Sequence, residues 1–448
     1  EHPVFHIDLN VEKYDSPAAL ESAFGTNLRP LEERWGRNPE EATGPARFLG
    51  LIKRACEKSG KKVAVLIDEY DKPLLETMED PALNEEIRKG LKAFYGVLKT
   101  ADPWLRFVLL TGVTKFSQVS VFSDLNQLRD ISLDEAYAGV CGISERELTG
   151  NFDAELRALA EKNRLSYDEA LAGMRKRFNG YHFSGYGETG ESSGVYNPFS
   201  VLNTFASGRF QYYWFQTGTP TFLIKLLQKA DFDIRRFAGG ISINPESIND
   251  YRIQGGNPVP ILYQSGYLTI TGYDAETRLF RLGFPNEEVE YGFLNALLPY
   301  YGPGPAEQDF FIGEFFADLR RGDADGFMTR LRAFFSSIPY DLHERTERYY
   351  QTVFYLVFRL LGQFAGAEVR SAAGRADAVV TTKEAVYVFE FKLAGRGTAE
   401  DALRQIDDKG YLIPWTAGGK KLVKVGAVFD PDTRTLGEWK AEGSQGEG

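Results

Sequence analysis

Two acidic residues and a lysine lie in and beside a strongly apolar stretch near the end of the chain, GRADAVVTTKEAVYVFEFKL. Glu390 and Lys392 are two residues apart, so on a β-strand they point to the same face, and the phenylalanines that alternate with them point to the other. A hairpin turn around Thr381–Glu384 would pair this strand with the apolar run before it. Asp377 would then lie opposite the Glu390 region, so that two carboxylates and one ammonium converge.

This set of side chains is the one that hydrolysis of a phosphodiester bond requires. Carboxylate oxygens are hard ligands for Mg²⁺ or Mn²⁺, and the bound ion polarises the phosphate and lowers the pKa of its water. A lysine orients that water or neutralises the charge that develops. The alternative for a bare Glu-x-Lys is a cross-strand ion pair on an exposed sheet. The apolar surroundings favour the first interpretation, because charges in a buried setting need partners.

A second acidic pair follows an apolar run in the first third of the chain, in VAVLIDEYDKP. Asp68 and Glu69 would stand at the carboxyl end of a buried strand, where ligands bind in open α/β sheets. This is the form of a Walker B element, in which one carboxylate holds Mg²⁺ and the next polarises the water that attacks a nucleotide. The alternative is that Asp68 or Asp71 only caps the helix that begins after Pro73.

The elements that must position these residues indicate a multidomain α/β fold, since the chain is too long for one compact core. Residues 1–133 have apolar strands separated by amphipathic stretches, a pattern typical of a parallel α/β sheet. Residues 134–251 are aromatic and helical, and we expect a helical lid or accessory domain there. Residues 252–339 are predicted to form a connector, a hairpin followed by helices. In residues 340–436 we predict a helix, three strands, a helix and another strand, with residues 437–448 as a loose tail.

The composition narrows the class of protein. With 52 Lys and Arg against 63 Asp and Glu, the net charge is −11, so any nucleic-acid contact must come from a local basic groove. The cysteines, Cys56 and Cys141, and the four histidines are scattered without metal-ligand spacing, so we do not expect a zinc site. No apolar run approaches the roughly 18 residues that span a membrane, and no signal peptide is evident, so we expect a cytoplasmic protein without a membrane partner.

Motifs along most of the chain resemble one bacterial family. They are IDEYDKPL, LTGVTKFSQ, FNGYHF, VYNPFSVLN, WFQTGTPTFL, LYQSGYLTI, ERYYQTVFYLVFRLLG, VYVFEFKL and ALRQIDDKGYLIPW. The chain is similar throughout to proteins that fuse an AAA-ATPase-like domain to a PD-(D/E)XK, or restriction-endonuclease-like, nuclease domain. The proline of that motif's name is absent, because Ala376 stands before Asp377. The position of this proline is the loosest in the superfamily.

The resemblance implies roles for residues of the C-terminal domain. Asp377 and Glu390 would be metal ligands, Lys392 the catalytic lysine, Gln405 the supporting residue on the next helix, and Glu347 a further carboxylate, with Glu368 as the alternative to it. Without the resemblance, Gln405 reads equally well as a surface helix residue. Glu347 precedes an apolar helix, where it or Thr346 could serve only as a first-turn or capping group.

For the N-terminal domain, the resemblance implies an incomplete P-loop-type core. Thr111, after the third strand, would be the polar sensor of the γ-phosphate or the water, with Lys115 nearby. An ATPase of this class also needs a phosphate cradle, G-x-x-x-x-G-K-[ST], and the 448 residues contain none. In the family the cradle lies upstream of the strand that VFHIDLN resembles, so the resemblance implies that it precedes Glu1. ATP should therefore bind only when that segment is restored.

The leading interpretation is an ATPase–nuclease fusion, in which a nucleotide-dependent module controls a magnesium-dependent phosphodiesterase that acts on nucleic acid, with DNA preferred. The alternative is a nucleotide-sensing interaction protein whose nuclease-like fold is a binding platform without turnover. A third interpretation is a metal-free scaffold in which both acidic sites are ion pairs. The sequence leaves the oligomeric state open.

Overall fold

The computed structural model of the chain describes residues 1–114, 128–184, 194–217, 221–249, 257–302, 305–338, 347–362, 368–370 and 377–444. Within these ranges the α-helices are α1 (Pro17–Trp35), α2 (Gly44–Ser59), α3 (Lys72–Glu76), α4 (Pro81–Thr100), α5 (Glu145–Asn151), α6 (Asp153–Asn163), α7 (Tyr167–Phe178), α8 (Pro198–Ser207), α9 (Thr221–Lys229), α10 (Val259–Gln264), α11 (Glu287–Leu297), α12 (Pro305–Arg321), α13 (Ala324–Ser336), α14 (Glu347–Leu361) and α15 (Ala399–Asp408). The strands are β1 (Val4–Asp8), β2 (Val63–Asp68), β3 (Leu105–Leu110), β4 (Ile241–Ile243), β5 (Thr269–Asp274), β6 (Leu279–Gly283), β7 (Glu368–Arg370), β8 (Ala378–Thr381), β9 (Ala385–Leu393), β10 (Lys421–Asp430) and β11 (Thr435–Ser444).

The chain folds into two compact units. The first comprises Glu1–Ala138, Ile243–Leu268 and Asp274–Phe280, and the second comprises Gly139–Ser242, Thr269–Tyr273 and Arg281–Gly448. In the part of the chain that the structure describes, no helix has both the length and the apolar character needed to cross a membrane.

The first unit contains a parallel sheet in the order β1-β2-β3. Helices α1, α2 and α4 pack together beside the sheet, and each begins at a side-chain N-cap with proline in its first two positions. Their buried faces meet in a stack of aromatic rings, in which Phe94 lies 4.0 Å from Phe24 and 4.7 Å from Phe48 between centroids. Apolar burial at this core fixes where the strands end, and therefore where the residues after them stand.

The N-terminal part of the second unit is helical. Helices α5 and α7 each begin with a capping box, Ser144 with Glu147 and Ser166 with Glu169. The buried residues of α5 to α8 form a small core of their own around Met174. Helical character was predicted for this region.

The C-terminal part of the second unit is built around a sheet in the order β11-β10-β9-β8-β7. Strands β9 and β10 are parallel, and the other described neighbours are antiparallel. Helix α14 precedes the sheet, and α15 connects β9 to β10. The element order helix, three strands, helix, strand is the predicted one.

The prediction of a loose tail over residues 437–448 is wrong up to residue 444. Strand β11 continues to Ser444 and pairs with β10 along its length, with an irregularity near Ala427. Leu436 is buried, and the guanidinium of Arg332 lies over the ring of Trp439, 4.2 Å from its centroid. Pairing with β10 supplies the hydrogen bonds that hold this segment, so it is ordered where a loose tail was predicted. Residues 445–448 lie outside the described residues.

Candidate active site

The hairpin of β8 and β9 brings the predicted acidic residues together. Ala378 pairs with Phe389 in antiparallel register, so the next step along the hairpin places Asp377 across from Glu390. The turn between the strands is closed by Thr382, whose N–H donates to the carbonyl of Ala385 at 2.8 Å. The hairpin was predicted, and a turn at Thr381–Glu384 was predicted to place Asp377 opposite the Glu390 region.

Glu390 is the centre of a compact polar cluster. Only 4% of its surface is exposed. Its Oε1 accepts a hydrogen bond from Lys392 Nζ at 3.1 Å and another from Gln405 Nε2. Lys392 Nζ also donates to Gln405 Oε1, so the three side chains form a closed triangle. The predicted lysine and the predicted helix residue therefore both contact the same carboxylate.

The second oxygen of Glu390 is different, because Oε2 is buried and has no hydrogen-bond partner among the residues that the structure describes. Asp377, across the hairpin, is exposed, and its Oδ2 accepts the N–H of Phe391 at 2.8 Å. A buried anionic oxygen without a donor is costly, and a cation ligated there would remove the cost. The site therefore fits a hard divalent ion, which binds through one or two carboxylates and keeps several waters. In the described ranges no group of three or more His, Cys, Asp or Glu side chains is placed to hold a metal ion.

The pKa of Glu390 is raised above its ordinary value. Burial of the carboxyl is the main cause and the charge of Asp377 is the next, while the hydrogen bond and charge of Lys392 act in the opposite direction. The charge of Asp377 thus adds to the effect of burial in favouring the protonated form of Glu390.

One glycine on β10 lets helix α15 approach the sheet closely, and the sequence analysis did not predict this contact. Gly426 on β10 pairs with Glu390 in the parallel register. A Cβ added to Gly426 would lie 2.3 Å from the carbonyl oxygen of Ala399, so α15 can rest against the sheet only because there is no side chain. That approach brings Gln405 to the carboxylate. An isolated glycine in an apolar strand is the signal for such a contact.

The opposite face of β9 rests on α14. The ring of Phe354 stacks on Phe391 with centroids 4.1 Å apart, and Phe358 lies 5.0 Å from Phe389. These rings lie on the face away from Glu390, as the alternation along the strand predicted. Strand β9, which carries Glu390 and Lys392, is thus held between α14 on one side and α15 on the other.

The further carboxylates named for this domain are placed only by their backbone. Glu347 is the first residue of α14, and Glu368 is the first residue of β7. Their side chains lie outside the described part of the structure, as do Ala376 and Thr346.

At the carboxyl edge of the parallel sheet, the structure brings Asp68 and Thr111 into contact. Thr111 Oγ1 donates to Asp68 Oδ1 at 2.5 Å. Glu69 adopts a left-handed backbone with φ of 53°, which is uncommon for a residue with a side chain and is found preferentially at functional positions. The pKa of Glu69 is raised, mainly by burial and then by the charges of Asp71 and Asp68. Lys115 lies outside the described residues.

Asp71 has a place that neither sequence interpretation gave it. Its side chain makes no capping bond to α3. The carboxyl is fully buried, and it accepts the N–H of Val113 at 3.1 Å and both the N–H and the hydroxyl of Thr114, at 2.5 and 2.6 Å. Asp71 therefore ties the loop after β2 to the loop after β3, and so holds the edge at which Asp68 and Thr111 meet.

Comparison with protein-family models assigns both ends of the chain. Residues 1–122 match a model described as a predicted AAA-ATPase, and residues 345–439 match the PD-(D/E)XK nuclease superfamily. This chain belongs to the AAA-ATPase-like and PD-(D/E)XK nuclease fusion family. The polar cluster around Glu390 lies inside the nuclease-superfamily domain, and Asp68, Glu69 and Thr111 lie inside the AAA-ATPase-like domain.

One relative is similar to this chain along nearly its whole length. An uncharacterized protein in the vnfD 5'region of Azotobacter chroococcum mcd 1 is 36% identical over 446 residues, which cover 97% of this chain and 82% of that protein. No solved structure matches the chain.

Proposed function

We propose that the C-terminal domain is a magnesium-dependent nuclease that hydrolyses phosphodiester bonds of nucleic acid, with DNA as its substrate. The observation that carries the proposal is the buried Oε2 of Glu390, which has no hydrogen-bond partner in the described part of the chain and lies next to Lys392 and opposite Asp377. In most structural ion pairs, both oxygens of a buried carboxylate accept hydrogen bonds within the protein, so an oxygen without a donor favours a ligand site.

The residues divide the work by their chemistry. Asp377 and Glu390 would hold Mg²⁺ or Mn²⁺, which supplies Lewis-acid polarisation of the phosphate and a water of lowered pKa when bound. Lys392, fixed by Glu390 and Gln405, presents an ammonium that neutralises charge developing on the phosphate oxygens. Gln405 orients both the lysine and the carboxylate, since its amide accepts from the one and donates to the other.

The N-terminal domain is proposed to control the nuclease in response to nucleotide. Asp68, Glu69 and Thr111 would face the Mg²⁺ and γ-phosphate of ATP at the carboxyl edge of the parallel sheet. The 448 residues contain no phosphate cradle, so ATP binding would require one in addition to them. We propose that residues 134–251 are an accessory domain and residues 252–339 a connector to the nuclease domain.

Two substitutions test the nuclease proposal. Lys392→Ala should abolish cleavage of linear duplex DNA with Mg²⁺ while Mn²⁺ binding, measured by calorimetry, stays nearly intact, because lysine acts on the phosphate and is not a ligand. Asp377→Ala should remove both. Lys424→Ala is the matched control, since Lys424 lies on the neighbouring strand and pairs with Asp407 and Glu442.

The outcomes separate the interpretations. Cleavage by Lys392→Ala at the wild-type rate would refute the assignment. Mn²⁺ binding without cleavage of DNA or RNA by the wild-type chain would favour the binding platform. Absence of both would favour the metal-free scaffold.

A further inference from the structure

Helix α11 lies outside the nuclease-superfamily match, yet three of its acidic residues each bind a different element. Glu287 pairs with Lys176 of α7 at 2.6 Å. Glu288 accepts hydrogen bonds from α8 and from the segment after it. Glu290 pairs with Arg359 of α14. Nothing in the proposed chemistry uses these residues, so their arrangement needs another explanation.

The contacts of Glu288 fix α11 to the helical region, by which we mean helices α5 to α8 and the segment that follows them. Its carboxyl is fully buried. Oε2 accepts the hydroxyl of Ser200 at 2.6 Å, and Oε1 accepts the backbone N–H groups of Tyr213 and Trp214 at 2.6 and 2.9 Å. One turn later, a Cβ on Gly292 would lie 2.1 Å from the ring of Phe215. A carboxylate with three donors and a ring seated on a bare glycine allow α11 little freedom to slide.

An ion pair between Glu290 of α11 and Arg359 of α14 links the position of α14 to that of α11. Arg359 Nη2 donates to Glu290 Oε1, and the two side chains are 28% and 14% exposed. Burial would lower the pKa of Arg359, but the charges of Glu290 and Tyr355 more than offset it, so the pKa of the guanidinium stays above its ordinary value. Removing one partner of such a pair leaves the other charged and partly desolvated, which is costly.

Helix α14 in turn sets the position of strand β9. The ring of Phe354 packs on Phe391, and the ring of Phe358 packs on Phe389. Phe389 and Phe391 are the neighbours of Glu390 along β9. Phe358 and Arg359 are adjacent in the chain. A shift of α14 would therefore move the strand from which Glu390 and Lys392 project.

We propose that Glu290 and Arg359 are positioning residues for the nuclease site, acting through α14 and β9, with Glu288 anchoring α11 to the helical region. This inference rests on the proposed nuclease function for its effect on catalysis, but not for its effect on geometry. It gives the helical region, which has no chemistry of its own in the proposal, a physical means of setting the catalytic geometry. Misplacement of reacting groups by about 1 Å can cost about 100-fold in rate.

The N–H of Phe391 provides a direct measurement, because it donates to Asp377 within the site. In the full chain, Glu290→Gln should accelerate hydrogen exchange of the β9 peptide that contains Phe391 by about tenfold or more. The same variant should weaken Mn²⁺ binding several-fold and lower kcat for DNA cleavage by roughly tenfold with KM little changed. The charge-reversed double variant Glu290→Arg with Arg359→Glu should recover much of each loss.

Glu145→Gln is the matched control. It removes a comparably exposed ion pair, with Arg175, between α5 and α7 of the same unit. It should lower stability without changing exchange at Phe391 or kcat. Unchanged exchange in Glu290→Gln, or an equal change in Glu145→Gln, would overturn the proposal. Absence of cleavage by the wild-type chain would instead refute the nuclease function, and exchange at Phe391 would still decide the positioning role.

Discussion

Replacing Gly426 with alanine should force helix α15 away from the sheet. The added Cβ would lie 2.3 Å from the carbonyl oxygen of Ala399, and 3.0 Å from Cβ of Ala402 and Cγ of Leu403. An ordinary contact is about 3.4 Å or more, so helix and strand must separate by about 1 Å. The nearest atom belongs to the backbone, which cannot rotate aside as a flexible side chain would. Overpacking of this kind costs about 1–3 kcal/mol of the free energy of unfolding.

The same displacement should reach the site. Gln405 lies on α15 and bonds both Glu390 and Lys392, and a hydrogen bond stretched by about 1 Å is lost. We therefore expect Gly426→Ala to lower kcat by roughly 10- to 100-fold, with Mn²⁺ binding less affected, because Gln405 is not a ligand.

Urea unfolding, Mn²⁺ calorimetry and DNA cleavage on the same preparations would measure these effects. Gly418→Ala is the control, since a Cβ there meets nothing within 4 Å. If Gly426→Ala is as stable and as active as Gly418→Ala, close approach of α15 does not hold the site, and Gln405 does not orient Glu390 and Lys392.

Two further predictions concern buried carboxyls. The pKa of Glu390 in the folded chain is raised above its ordinary value of 4.5. The protonated carboxyl therefore stabilises the fold at low pH, and this stability is lost as pH rises through the folded-state pKa. Without metal, Glu390→Gln should therefore unfold at a higher urea concentration than the wild type at pH 8. This difference in the urea midpoint should shrink as pH falls towards 4.5. An equal difference at both pH values would contradict the prediction. Asp71→Ala should lower the free energy of unfolding by about 2–3 kcal/mol, because it leaves the buried donors of Thr114 unpaired. Asp80→Ala is the control, since it removes a helix cap and should lower the free energy of unfolding by about 1 kcal/mol. Thermal unfolding measures both losses. Equal losses in the two variants would show that the contacts of Asp71 with Thr114 stabilise the fold no more than a helix cap does.

The parts of the site that could be predicted from sequence are those built by local geometry. Alternation along AVYVFEFKL separates Glu390 and Lys392 from the phenylalanines, and one short turn sets the register that brings Asp377 across from Glu390. Apolar runs likewise predicted the three strands of the first unit. The end of the chain was misjudged because Gly and Glu outnumber the apolar residues of β11, although Leu436 and Trp439 carry the signal of a strand.

The parts that could not be predicted depend on partners far along the chain. Arg359 and Glu290 are 69 residues apart, and Asp71 and Thr114 are 43 apart. No spacing rule joins such pairs, because their contact is a consequence of how whole elements pack. An aspartate after a strand reads as a cap from sequence, and only the loop that folds over Asp71 makes it a tie between two loops.

The two acidic sites of the chain therefore differ in how complete they are. Around Glu390, residues within a span of fewer than 30 positions supply two carboxylates, an ammonium and an orienting amide, and long-range contacts of α14 and α15 only position them. At the edge of the parallel sheet, Asp68, Glu69 and Thr111 offer groups suited to a nucleotide's metal and terminal phosphate, but the 448 residues contain no G-x-x-x-x-G-K-[ST] motif. Because the proposed chemistry at the first set needs only a divalent ion and a substrate, we expect metal-dependent cleavage to be measurable in this chain without nucleotide.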